Sequence, residues 1–150
     1  MNVLKPWMIH SGRIIALGLF LFDLLLGLFT AIWPEVYFSI VHPELPDPQI
    51  ELLRRSGGMW LAFAVVALIT ATCQRDVRAR WFMVLGWFRL IEVPADLLYG
   101  LTATGTGAYG QILILAAPPL NLLIGGYLFW LSRRMHQARL AEEADSTPDE

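Results

Sequence analysis

Four long apolar stretches run through this chain, and the third is interrupted by Arg89, Glu92 and Asp96. A single charge near the middle of a bilayer costs about 2.5–3.5 kcal/mol on insertion scales. Spacings of three and four put these side chains on one helical face. That face must turn from lipid toward a neighbouring helix or a wet cavity. The pattern predicts an all-α integral membrane protein, an antiparallel four-helix transmembrane bundle with a polar interior.

The spans are expected at residues 13–33, 57–73, 81–100 and 112–131. Each approaches the ~20 residues needed to cross a hydrocarbon core of ~30 Å, and the second is the shortest. The chain is 150 residues long, 56% hydrophobic and 16% charged, which is too apolar for an ordinary soluble domain. It leaves room for one domain, 1–150. The first span is too long for a signal-peptide core and has no small-residue cleavage pattern behind it, so it is expected to be retained. Trp33, Trp60, Trp81, Trp130, Tyr99 and Tyr109 fall near the expected ends, as interfacial aromatics do.

Orientation follows from Lys and Arg. Lys5, Arg13, Arg75, Arg78, Arg80, Arg133, Arg134 and Arg139 lie on one side, against Arg54 and Arg55 on the other. The positive-inside rule then places both termini in the cytoplasm of a bacterium, with a multi-pass chain in its inner membrane. Residues 34–56 are expected to form an external cap, rich in proline, in which the stretch Asp47 to Arg55 reads as a short amphipathic helix with Asp47 as N-cap and Pro48 at its first position. The acidic segment 140–150 is expected to fray and then be disordered.

A helical rise of about 1.5 Å per residue gives approximate depths. Asp23, Arg89 and Asn121 fall near the midplane, Glu92 one turn outward and Asp96 two turns outward. Asp23 is expected to pair with Arg89, with Asn121 nearby. Glu92 shares Arg89 at i,i+3, and Asp96 meets Arg54 or Arg55. Left unpaired, the four charges would together cost about 10–14 kcal/mol, as much as the whole stability of a domain. Three carboxyls face one guanidinium inside the spans. Unless Arg54 or Arg55 reaches in, one carboxyl is expected to hold a proton, and Glu92 is the candidate. Pro94, Pro118 and Pro119 remove backbone donors near this level. Trp87 either stacks on the guanidinium, lines a cavity or simply packs.

Other signals are weaker than they look. Gly105, Gly107 and Gly110 match a dinucleotide-binding pattern, but no strand precedes them, so they read as a flexible turn. His10, His42 and His136 all lie outside the spans and read as surface groups, so neither a haem nor a metal site is expected. One cysteine, Cys73, excludes an internal disulfide. A net charge of −2 gives no reason to expect nucleic acid.

The layout resembles small bacterial four-helix membrane proteins of the DoxX-like kind. The likeness is carried by Trp33-Pro34 after the first span, Arg54-Arg55-Ser56-Gly57-Gly58 opening the second, and Arg89-Leu90-Ile91-Glu92 in the third. Some members of that grouping are associated with quinone-linked sulfur oxidation, which the resemblance raises without supplying catalytic residues.

Three functions stay open. The first is a non-enzymatic accessory subunit whose charged cluster fixes the bundle or docks membrane-complex subunits or a second copy. The second is a lipid or quinone site around Trp87, Arg89, Glu92 and Asn121. The third is a proton-coupled carrier using Asp23 and Glu92.

Overall fold

The computed structural model describes residues 5–44 and 50–145, all helix and connection with no strand among them. The helices are α1 (Pro6–Ile32), α2 (Pro34–Val41), α3 (Ile50–Thr72), α4 (Arg78–Thr102) and α5 (Ala108–Asp145). α1, α3 and α5 are long and apolar enough to cross a membrane. α4, at 25 residues, has the length but carries the charges.

The sequence writes the breaks. Proline disfavours helical backbone in the residue before it and is pre-shaped for the first position of a new helix. Trp33 precedes Pro34 and leaves the helical region at φ −126°, ψ 56°, ending α1 and letting α2 start at Pro34. The device is used again at once. His42 precedes Pro43 and takes φ −127°, ψ 60°, ending α2. The short helix between them buries Pro34, Phe38 and Val41 on one face and leaves Val36 and Ile40 outside.

Three boundaries differ from expectation. α3 starts at Ile50 rather than Gly57, so much of the expected cap helix is the first two turns of one continuous helix; Asp47 and Pro48 lie outside the described residues. α1 begins at Pro6 rather than Arg13. α5 continues to Asp145, past the point where fraying is expected, helped by an i,i+4 pair between Arg139 Nε and Glu143 Oε1 at 2.8 Å. α4 runs through Pro94, and α5 through Pro118 and Pro119.

The four long helices associate as two close pairs, α1 with α3 and α4 with α5; the contacts of α3 with α4 and of α1 with α5 are lighter. One glycine crossing draws each pair together. A methyl group on Gly57 would sit 2.9 Å from Gly27 O, and one on Gly125 would sit 2.9 Å from Gly86 O. Only hydrogen at both positions lets the backbones come so near. Along the second pair, Gly86 meets Gly125 while Gly100 meets Ile114, so α4 and α5 run past each other in opposite directions.

The apolar core lies toward one end. Ala16, Leu19, Ala67, Ala71, Phe82, Leu85, Leu128 and Leu131 form a single buried cluster from all four long helices. Below it, arginines finish the helices. Arg13 Nε donates to Ala71 O at 2.9 Å and Arg78 Nη2 to Cys73 O at 2.7 Å, so two cations satisfy the carboxyl end of α3.

Candidate functional site

On the other side of that core, α1 and α4 bring charge into the interior. Asp23 follows the buried stripe of α1 (Gly12, Ala16, Leu19, Asp23, Gly27, Thr30), whose spacing of three and four holds it inward. Arg89 occupies the corresponding stripe of α4 after Phe82, Leu85 and Gly86. Asp23 is 0% exposed and Arg89 3%. They form an ion pair through Arg89 Nη2 and Asp23 Oδ2. Arg89 Nη1 also donates to Glu92 Oε2 at 2.9 Å. The guanidinium carbon lies 5.7 Å from the centre of the Phe63 ring, so α3 supplies an aromatic wall.

The pairing leaves two buried atoms without a hydrogen-bond partner among the described residues, Asp23 Oδ1 and Arg89 Nε. Nε and Nη2 belong to the same edge of the guanidinium. An acceptor and a donor of this one ion pair are thus both left unmatched among the described residues.

Asp23, Arg89 and Glu92 come together as expected; the other candidates do not join them. Asn121 donates from Nδ2 to Asp96 Oδ2 at 2.8 Å and forms a separate contact nearer α2. Asn121 meets Asp96 because of how α4 and α5 lie against each other, the register that also brings Gly100 to Ile114 and Gly86 to Gly125. Counting residues into the expected span does not encode that register. Arg54 does not meet Asp96. It stays half exposed and pairs with Glu51 at 3.3 Å and Glu35 at 3.8 Å, because the early start of α3 supplies a carboxylate at i−3. Arg55 is exposed and makes no ion pair among the described residues. Trp87 is 49% exposed and packs edge-on against Phe129 at 5.4 Å. Positions two apart do not share a helical face, so Trp87 neither stacks on Arg89 nor lines the cluster.

A second polar contact lies at the α2 end, on a residue that sequence reading places at the surface. His42 is 8% exposed. Its Nδ1 lies 3.0 Å from Thr104 O, and its Nε2 contacts the Tyr99 hydroxyl. A carbonyl only accepts, so Nδ1 carries the hydrogen, and in the neutral ring Nε2 accepts from Tyr99. The clue in the sequence is the repeated residue-before-proline break, which fixes His42 at the end of a docked helix. The glycine-rich segment is its seat. Gly105 has φ 63°; the Gly107 N–H donates to Val41 O at 3.3 Å; a side chain on Gly110 would strike that same carbonyl. This segment is a fitted surface and not a loose turn. Tyr37, beside it on α2, has its phenol pushed up to about 12, first by burial and then by Tyr99.

Among the described residues no three His, Cys, Asp or Glu side chains gather as metal ligands. Comparison with protein families, with characterised proteins and with solved structures returned no match to this chain.

Proposed function

We propose that this chain is a multi-pass protein of the bacterial inner membrane, an antiparallel four-helix transmembrane bundle with both termini in the cytoplasm. It serves there as a non-enzymatic accessory subunit whose charged cluster locks two helix pairs in register. The observation that carries this reading is the Asp23–Arg89 ion pair. It joins α1 to α4, and so ties together two pairs that otherwise touch lightly. In lipid, helices gain little from burying apolar surface against each other, and polar contacts and close packing take over.

Three further observations support it. The exposed surface is dominated by large apolar residues along α1, α3 and α5, such as Leu25, Val65 and Leu123. The arginines of the expected cytoplasmic side gather at one end, where Arg13 and Arg78 hold the end of α3. The outward face of Trp87 removes one wall of a ligand site around Arg89. The DoxX-like layout belongs to this proposal as a matter of arrangement only.

Native mass spectrometry of the protein, extracted gently from its own membrane, tests the subunit role. A heavier hetero-assembly supports it. A bare protomer, or a protomer carrying one fixed small mass, rejects it, the latter in favour of a lipid or quinone site.

A further inference from the structure

We propose that the cluster of Asp23, Arg89 and Glu92 is a proton-binding site, in which Glu92 takes up and releases the proton, and which is entered from the α2 end. The inference rests on the membrane reading above, since it needs surroundings that penalise unbalanced charge. It goes beyond the lock, which uses only Asp23 and Arg89.

Charge counting is the first support. One guanidinium serves two carboxyls, Asp23 and Glu92. The groups that face Glu92 can be named element by element. α1 contributes Asp23, and α4 itself contributes Arg89 and, one turn on, Asp96. On the partners of these groups, α3 sets Phe63 against Arg89 and α5 sets Asn121 against Asp96, both uncharged. The two arginines nearest in expectation do not balance the excess: Arg54 pairs with Glu35 and Glu51, and Arg55 stands in the exposed first turns of α3. With all groups ionised the trio carries one net negative charge. One proton from water, added to Glu92, leaves Asp23 and Arg89 as a balanced pair. The new O–H bond forms at Oε1, because Oε2 accepts from Arg89 Nη1 and keeps that bond.

Access is the second support. The Asp23 side chain is 1% exposed and that of Glu92 19%, so Glu92 is the more exposed carboxyl of the trio. Toward the α2 end the next polar side chains are Asp96 and Asn121, hydrogen-bonded to each other. Toward the basic end the path meets Leu19, Phe82, Leu85 and Leu128 in the sealed apolar core. A polar side toward α2 and an apolar side toward the basic end suit a site that binds protons from one side without conducting them.

The experiment is infrared spectroscopy of the whole chain in lipid vesicles, after flotation and selection for vesicles with the α2 end outward. Acidifying the outside is expected to raise a protonated-carboxyl band that loses one component in Glu92→Gln, the component that persists in Arg54→Ala and in Glu35→Gln/Glu51→Gln, where the exposed carboxyls of the same end are removed. Should Glu92→Gln fail to fold, a carboxyl-13C glutamate placed at position 92 alone decides, because the band component must move with that label. A floating protein with no such band, a band that ignores labelled glutamate, or one that answers only to internal pH overturns the proposal and leaves the membrane reading standing. Protein that does not float overturns both. Proton flux above that of empty vesicles overturns the one-sided entrance.

Discussion

Toward the basic end of the molecule Ala16, Leu19, Phe82, Leu85, Leu128 and Leu131 close on one another without a charged member, while toward α2 the same three helices, α1, α4 and α5, hold Asp23, Arg89, Glu92, Asp96 and Asn121. Apolar contacts depend on shape and tolerate many arrangements of similar volume. Charged contacts are satisfied at few positions, and one displaced partner leaves a costly orphan. The apolar section therefore supplies cohesion, and the polar section supplies register. The difference shows how a small chain, with light contact between its helix pairs, can still specify one arrangement.

That contrast can be broken by substitution. Arg89→Met leaves Asp23 buried and unpaired, and is expected to destabilise by about 3–5 kcal/mol in denaturant titrations of the purified protein. Adding Asp23→Leu to Arg89→Met is expected to recover much of that loss; a further loss instead would remove the pair from its role as the register. In the apolar section Leu85→Ala is expected to cost about 2–5 kcal/mol through the cavity it opens, and no second change nearby restores it. Gly110→Ala drives a methyl group into the Val41 carbonyl and is expected to cost about 1–3 kcal/mol, read as a lower melting temperature. The smallest effect belongs to the exposed pairs. Arg54→Ala is expected to change stability by no more than about 1 kcal/mol, and a larger loss would show that the cap bears on the bundle through Glu35.

Much of this was legible in the sequence for reasons of geometry. Residues at i and i+3 on one helix must meet, so Arg89 with Glu92 follows from spacing alone. Asp23 with Arg89 follows because two buried opposite charges at similar depth have few other options. The remainder depended on how helices slide past one another, which spacing within one helix does not encode. Asn121 answers to Asp96 because of the register in which α5 lies against α4. Trp87 is a different case, since its separation of two from Arg89 already placed it on another face. His42 was hidden by its type: a lone histidine outside an apolar run resembles a surface group until the chain on both sides of it is seen to be docked.

The docked cap has a mechanical consequence. His42 follows α2 without a long tether, and it grips Tyr99 on α4 and Thr104 beyond it. Asp23 grips Arg89 in the interior, and at the far end the Ser11 and Tyr127 hydroxyls meet at 2.6 Å. A single fastening between two rigid halves is a pivot, and two define an axle about which they still turn. Three, set at separate heights and on different helices, stop the turning. A molecule fastened in this way would pass a pull or twist on the protruding end of α5 to the opposite end of the bundle as motion of one solid piece.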